Sequence, residues 1–219
     1  MPDRKLHVYE NDAIRVTYDR ERCIHAALCV HGLPDVFDTT ERPWVKVANG
    51  SPDEIANVVR RCPTGSLHYE RKDGAPNEAP PAENTALVSR HGPLYIRAEM
   101  VLVTNDGSAE LHETRLALCR CGASAQKPFC DGAHTRIQFQ DRGEAPAEAP
   151  PTSVPLQGLL RIEPTRDGPL KFRGPLALVD STGKRAAHGQ EFALCRCGAS
   201  AQKPFCDGSH TRVGFRSEG

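Results

Sequence analysis

The sequence contains no hydrophobic run approaching the roughly 18 to 20 residues needed to span a bilayer, and its opening segment, MPDRKLHVYENDAIRV, is charged rather than apolar. Neither a membrane anchor nor a secretory leader is expected, and the chain should be soluble and cytoplasmic. Net charge is missing as well, since Lys plus Arg and Asp plus Glu number 28 each. Without a global basic field, nucleic acid and anionic membranes are poor candidates for partners. Hydrophobic residues make up only 38% of the 219 residues, against 18 Pro and 18 Gly. That balance argues against one large core and for several small modules stabilised by something besides burial. The chain also lacks a nucleotide-binding glycine loop, a phosphate cradle and a nucleophile paired with a base, so an autonomous enzyme is not expected.

What the chain does have is cysteine. Nine are many for a sequence without a secretory signal, and in a reducing compartment such thiols are more often metal ligands than disulfides. They fall in three groups of three: Cys23, Cys29 and Cys62; Cys119, Cys121 and Cys130; Cys195, Cys197 and Cys206.

Two stretches rich in Pro, Ala and Glu, GAPNEAPPAEN (Gly74 to Asn84) and GEAPAEAPPTS (Gly143 to Ser153), carry little to bury and read as linkers. Beyond the first, the chain repeats itself. ALCRCGASAQKPFCDGAHTR (Ala117 to Arg136) recurs at Ala193 to Arg212 with an offset of 76, and only Ala133 and Ser209 differ. The same offset aligns GPLYIR at Gly92 with GPLKFR at Gly168, so the repeat unit is about 50 residues. The predicted organisation is a first module at 1–72, a linker at 73–85, a first repeat at 86–142, a linker at 143–153 and a second repeat at 154–219. Within each repeat, PLYIRAEMVLV and PLKFRGPLALV, with the turn signals NDG and STG, predict short strands ahead of the cysteines.

The first module reads differently. IRVTY (Ile14 to Tyr18) alternates as a strand, Trp44, Val45 and Val47 suggest a second extended piece, and LHY from Leu67 a third. Between them Ser51 can cap a helix, with Pro52 at its first position and Glu54 closing a capping box; Ile55, Val58, Val59 and Cys62 follow the helical period.

In each repeat the donors are spaced C-x-C-x8-C-x3-H: Cys119, Cys121, Cys130 and His134, then Cys195, Cys197, Cys206 and His210. A C-x-C pair is too close for an unstrained disulfide, yet in an extended segment both sulfurs can reach one metal atom. Cys130 opens C-D-G-A-H, where Asp131 can cap a short helix that presents His134 one turn on; this second pair would hold a second metal atom. Gly122 and Gly132 can let the backbone pass close to a cluster. Ser124 and Thr135, with Ser200 and Thr211, are either hydroxyls that bond the ligands or loop, or ordinary turn residues. Zinc also accepts a Cys3His set, so a structural staple stays open on the residues alone.

The pattern C-x-C-x2-S-x3-P-x-C-D-G-[SA]-H resembles the CDGSH iron–sulfur domain of the mitoNEET-like family at every defining position in both copies. The resemblance implies a [2Fe–2S] cluster in each repeat, with Cys119 and Cys121 on the inner iron and Cys130 and His134 on the solvent-facing one, and likewise for Cys195, Cys197, Cys206 and His210. It also implies an intramolecular pseudo-dimer in a monomeric chain. Alanine at 133 departs from the serine of the name motif, at a position that is not a ligand.

In the first module, CIHAALC followed by PDVFD, RPWV and RCPTGSLHY resembles the divergent single-cluster ferredoxins, and in cysteine pattern the three-cysteine [3Fe–4S] ferredoxins. Cys-Pro also closes bacterial ferredoxin motifs. Ala26 stands where a further cysteine would sit. The resemblance therefore implies either a [3Fe–4S] cluster on Cys23, Cys29 and Cys62, or a [4Fe–4S] cluster completed by a group such as His25. Buried, cluster-free cysteines are the competing reading. Trp44 is expected in the core, and His31, His68, His91 and His188 on the surface.

The expected fold class is α+β, a ferredoxin-like α+β module followed by two small β-rich modules. The expected role is electron transfer with a protein redox partner, a reductase or an electron or cluster acceptor. Two alternatives stand beside it, an iron–sulfur cluster donor or redox/pH sensor, and a zinc-stapled interaction protein. A histidine ligand titrates within reach of physiological pH, so acid should weaken the clusters. Between roughly pH 8 and 5, visible absorbance of the native protein should fade faster than that of a His134→Cys, His210→Cys double variant; equal rates would refute a histidine-driven lability.

Overall fold

A computed structural model of the chain describes residues 5–104, 107–145 and 155–218. Asn105 and Asp106 of the NDG turn and residues 146–153 of the second Pro/Ala/Glu stretch lie outside the described residues. The chain forms two compact units that divide between Ala79 and Pro80. Both helices and strands are present, so the fold is α+β. Among the described residues no helix is long and apolar enough to cross a membrane.

In the first unit, β1 (Leu6–Glu10), β2 (Ile14–Asp19) and β3 (Leu67–Arg71) form an antiparallel sheet in the order β1-β2-β3. The turn between β1 and β2 is tied by Asn11, whose side-chain oxygen accepts from the amides of Ala13 and Ile14 at 3.0 and 2.9 Å. A short helix α1 (Leu28–Gly32) and the longer α2 (Pro52–Val59) accompany this sheet. The α2 capping box forms as its sequence predicts: the Glu54 amide donates to Ser51 Oγ, and the Ser51 amide donates to Glu54 Oε2 at 2.9 Å. Ile55, Val58 and Val59 from α2 meet Ile14, Val16 and Leu67 from the sheet in the core. Trp44 packs at its edge, with its ring 4.8 Å from that of Tyr18 and 6.0 Å from that of Phe37.

Two local expectations change. The Trp44 to Val47 segment is not a strand; Val45 makes a single bridge to Phe37, and Val47–Asn49 is a 3-10 turn, so its apolar residues are buried by a compact loop. Helix α2 ends at Val59, and Cys62 follows in a tight turn in which its amide donates to the Val59 carbonyl at 3.0 Å.

The second unit contains both repeats. Each supplies a short strand and a long hairpin: β4 (Thr85–Val88), β5 (Leu94–Val103) and β6 (Glu110–Leu118), then β7 (Leu160–Pro164), β8 (Leu170–Val179) and β9 (Arg185–Leu194). Each short strand bridges the two hairpins. Strand β4 runs antiparallel to β5 (Ala86 opposite Ile96) and parallel to β8 (Ala86 opposite Leu178). Strand β7 likewise runs antiparallel to β8 (Ile162 opposite Phe172) and parallel to β5 (Ile162 opposite Leu102). The four strands β4, β5, β7 and β8 thus close on themselves, with β6 outside β5 and β9 outside β8. Residues buried within this arrangement, among them Ile96, Leu102, Leu116, Leu160, Phe172 and Leu178, form one continuous core drawn from both repeats.

Both long strands carry an irregularity at the same place in the repeat, between Arg97 and Met100 in β5 and between Arg173 and Leu176 in β8. Such bulges free backbone groups from the ladder. Asn84, the last residue of the first Pro/Ala/Glu stretch, takes them up. Its oxygen accepts from the Glu99 amide at 3.1 Å, and its nitrogen donates to the carbonyls of Pro175 (2.9 Å) and Gly158 (2.7 Å). One buried side chain thereby serves both bulges. At the second bulge Gly174 has φ +117°, and a Cβ there would lie 2.5 Å from the Leu159 carbonyl oxygen, so only glycine fits. Asn84→Ala should remove the partner of three part-buried backbone groups and cost about 2 kcal/mol of unfolding free energy, measured by chemical denaturation of the full chain; a loss below about 0.5 kcal/mol would contradict this role.

Candidate iron–sulfur sites

Each repeat ends its hairpin in a loop that carries the donors. Past the last residue of β6, the Cys119 amide donates to the Pro128 carbonyl (2.8 Å) and the Cys130 amide to the Ala117 carbonyl (2.9 Å), pinning the two arms of the loop together. The second repeat repeats both bonds, Cys195 to Pro204 at 2.8 Å and Cys206 to Ala193 at 2.9 Å. Ser124 is buried and holds the loop from inside: its hydroxyl donates to the Phe129 carbonyl at 2.7 Å and accepts from the Gln126 amide at 3.0 Å. Ser200 does the same with Phe205 and Gln202.

The third cysteine is followed by a four-residue helix, α3 (Ala133–Arg136) or α4 (Ser209–Arg212), which carries the histidine. The capping differs by one position from the sequence reading. Gly132 and Gly208, at φ +83°, occupy the N-cap, while Asp131 accepts from the Ala133 amide (2.9 Å) with one oxygen and from the Ala125 amide (2.9 Å) with the other. Asp207 repeats this pairing with Ser209 and Ala201. The aspartate therefore ties the helix start to the C-x-C arm. In the first repeat burial works against its ionised form, but the two amides hold the Asp131 carboxyl below its ordinary range.

All nine cysteines are free thiols. Within each repeat the donors come in twos. Cys119 Sγ lies 3.7 Å from Cys121 Sγ, and Cys130 Sγ lies 3.3 Å from His134 Nδ1. In the second repeat the corresponding separations are 3.7 Å for Cys195 and Cys197 and 3.4 Å for Cys206 and His210. Among the described residues no three Cys, His, Asp or Glu side chains converge as a single metal ion would require. Each set thus presents its donors as two pairs, an arrangement compatible with a core of two metal atoms.

The loop shifts the sulfurs in opposite directions, Cys119 down and Cys121, its bonding partner, and Cys130 up. The Cys119 thiol is drawn below its ordinary range, first by its bond with Cys121 and then, against the cost of burial, by the amides of Ser124, Gly122 and Cys121. Thiolate, not thiol, is the ligand form. Burial pushes Cys130 up to about 11, the Gly132 amide opposing it. Burial also holds the His134 pKa down, with Asp131 opposing and Arg120 assisting, so the neutral imidazole that can bind metal is favoured.

The two loops meet back to back. A Cβ on Gly122 would lie 2.5 Å from the Cys197 carbonyl oxygen, and one on Gly198 would lie 2.7 Å from that of Cys121. The space left by Gly122 is thus taken by the other repeat's backbone. Gly132, at similar φ, has nothing within 4 Å of its missing Cβ.

In the first unit, Cys23, Cys29 and Cys62 are half-buried and close enough that Cys62 and Cys23 each act on Cys29, whose thiol is raised mainly by burial. His25 is exposed on left-handed backbone at φ +57°, and Ala26 beside it is exposed. Three neighbours escaped the sequence reading. The Tyr18 hydroxyl is held far above its ordinary pKa by burial and by its bond and charge interaction with Cys23. Thr64 Oγ1 lies 3.6 Å from Cys62 Sγ, and buried Arg22 donates to the Thr64 carbonyl at 2.7 Å. Polar residues flanking each cysteine are the available signal for these.

Comparison with known families agrees with this division. The divergent 4Fe-4S mono-cluster family matches residues 9–72, and the iron-binding zinc finger CDGSH type matches residues 91–135 and 167–211. The uncharacterized protein YjdI of Escherichia coli K12 is 28% identical over 70 residues, which cover 32% of this chain and 92% of YjdI; the same protein of Escherichia coli O157:H7 gives the same figures. No solved structure matches the chain.

Gly122→Ala should cost more than about 2 kcal/mol, from left-handed strain plus backbone overlap, and should disturb both loops, whereas Gly132→Ala should cost only about 1 kcal/mol. Thermal unfolding and visible absorbance of the two variants check this contrast; equal effects would refute the role given to the back-to-back contact.

Proposed function

Since this chain belongs to the tandem CDGSH iron–sulfur proteins and carries a divergent single-cluster domain ahead of them, we propose that it is a multi-centre electron carrier without catalysis of its own. Cys119, Cys121, Cys130 and His134 would hold one [2Fe–2S] cluster, and Cys195, Cys197, Cys206 and His210 a second. Cys23, Cys29 and Cys62 would hold a third, of [3Fe–4S] or, with a fourth ligand such as His25, [4Fe–4S] type. Such clusters supply reversible one-electron chemistry, and exchanging one thiolate for imidazole places the potential above that of all-cysteine plant-type ferredoxins.

The observation that carries this reading is the division of each donor set into two pairs. The residues around them fit the same role. The bond with Cys121, and after it backbone amides, favour the Cys119 thiolate, Asp131 and Ser124 hold the loop in one geometry, and the half-buried histidines leave an edge from which electrons can pass. The exchange of β4 and β7 between the hairpins supports a monomer built as an internal pseudo-dimer. A cytoplasmic protein, reductase or acceptor, would supply or take the electrons.

Iron and sulfide analysis of purified protein should find about four of each from the two CDGSH sets, besides the N-terminal centre. Dithionite should then reduce the visible bands and air restore them without loss of iron. Colourless protein holding zinc would overturn the reading, and loss of cluster to an apo-acceptor faster than reversible reduction would favour a cluster donor.

A further inference from the structure

The charges of the first unit are sorted by position. Residues 19–33 and 60–66, which carry its three cysteines, hold Arg20, Arg22, Arg60 and Arg61 against Asp19 and Glu21. The other described residues of the unit hold six Lys or Arg and ten Asp or Glu. A cationic excess therefore goes with the cysteines and an anionic excess with the rest.

Strand register turns this into a separation in space. At the start of β2, Arg15 stands opposite Glu10 and Glu70, and Ile14 opposite Arg71. There the cations are matched: Arg15 pairs with Glu10 and Glu70, Arg71 with Asp53 (2.6 Å) and Asp73 (2.5 Å), and Lys72 with Glu10 (3.5 Å). The far end of β2, about 17 Å away, runs directly into Arg20, Arg22 and Cys23. Helix α2 spans the same two ends, since Asp53 in its first turn pairs with Arg71 while Arg60 and Arg61 follow its last turn and precede Cys62.

Backbone and side-chain contacts gather the cysteine end. Buried Arg22 donates to the Thr64 carbonyl at 2.7 Å, and the Asp19 amide donates to the Ser66 carbonyl at 2.8 Å, which draws the Arg20 to Cys23 turn against the chain after Cys62. A Cβ on Gly32, the last residue of α1, would lie 3.4 Å from Arg61 Nη1, so Arg61 lies against the helix that carries Cys29. Asp19 and Arg22 are buried. The exposed charges left around the cysteines are Arg20, Arg60 and Arg61, with Glu21 the one exposed acid of these two segments. Among the described residues neither Arg20 nor Arg61 pairs with a carboxylate, in contrast to Arg15, Arg71 and Lys72 at the other end.

Guanidinium groups match carboxylates two bonds at a time. A long polyanion suits this surface less well, because three exposed arginines make a short patch and the carboxylate excess behind it repels whatever runs past its edge. We propose that the cysteine end of the first unit is a docking surface for a redox protein whose contact face is rich in Asp and Glu, seated on Arg20, Arg60 and Arg61. This inference rests on the proposed function and adds the surface chemistry of the partner. The sorted charges steer such a partner and turn the cysteine end toward it. One electron then passes between the docked partner and the centre on Cys23, Cys29 and Cys62, with no bond made or broken.

The test uses the full chain, assayed for iron and sulfide, and a fluorescein-labelled oligoglutamate peptide whose binding is read by fluorescence anisotropy. Binding should be measurable at about 0.01 M salt and weaken toward about 0.15 M. Arg20→Glu and Arg61→Glu should each raise Kd about fivefold or more, while Lys72→Glu, the same change of charge at the opposite end, should change it less than about twofold. Arg20→Gln and Arg61→Gln, milder in their effect on folding, should give smaller losses of the same sign. Arg61 also complements the C-terminal end of α2; that role alone would lower thermal stability and leave salt-dependent binding unchanged. No binding at low salt, equal losses from all three reversals, a loss confined to Arg136→Glu in the first CDGSH loop, or tighter binding of an oligothymidylate of equal charge would overturn the inference and leave the proposed function standing. Protein that takes up no iron would overturn both.

Discussion

Along the outer half of β5 and of β8, the edge opposite each strand's own hairpin partner is covered only by the short strand of the other repeat. Without that exchange each long strand would expose unpaired backbone and half of its apolar face, which native sheets avoid. The cluster loops hang from the ends of these hairpins, and their backbones touch where Gly122 meets Cys197 and Gly198 meets Cys121. The positions of the ligand pairs therefore follow from the sheet: the register of Ile162 against Leu102 and of Ala86 against Leu178 fixes how the two loops face each other.

Within the loops, rigidity comes from short-range polar contacts more than from burial. Ser124, Asp131 and the crossed amide bonds of Cys119 and Cys130 close a small circuit around the sulfurs. The same groups are repeated, nearly distance for distance, by Ser200, Asp207, Cys195 and Cys206. A site prepared in this way keeps its ligands near their working positions, and outer contacts of this kind tune a metal centre as much as the ligands do. The buried arginines inside the two C-x-C pairs, Arg120 and Arg196, belong to the same layer, and there the repeats differ: Arg120 pairs with Asp141, while Arg196 Nη1 has no hydrogen-bond partner.

Much of this was readable in the residues, and the exceptions have physical causes. The α2 capping box and the alternation of β2 depend on local chemistry, and each formed as read; the same local spacing brings Cys119 beside Cys121 and Cys130 beside His134. Strand β1 was not foreseen, because its Leu6 and Val8 stay exposed and its residues show no buried face. Val45 and Val47 looked like a strand but are buried by a loop, since burial alone does not distinguish the two. Asn84 sat inside a segment whose composition says linker; its role depends on bulges 15 and 91 residues away, a relation no local pattern carries. The exchange of β4 and β7 was hidden for a similar reason, because pairing within a repeat and pairing between repeats give the same internal sequence periodicity. The use of Gly122 belongs to this group too, as its crowding neighbour lies in the other copy.

Joining the two hairpins in a single chain changes what governs their meeting. When interlocked strands belong to separate molecules, their encounter depends on how much protein is present, and dilution pulls it apart; a tether replaces that dependence with a fixed effective concentration. Here the exchanged strands β4 and β7 belong to one polypeptide, so the paired loops form as readily at low abundance as at high. A joined pair is also released from the identity that a symmetric assembly of equal chains would impose, and each half can accumulate its own substitutions.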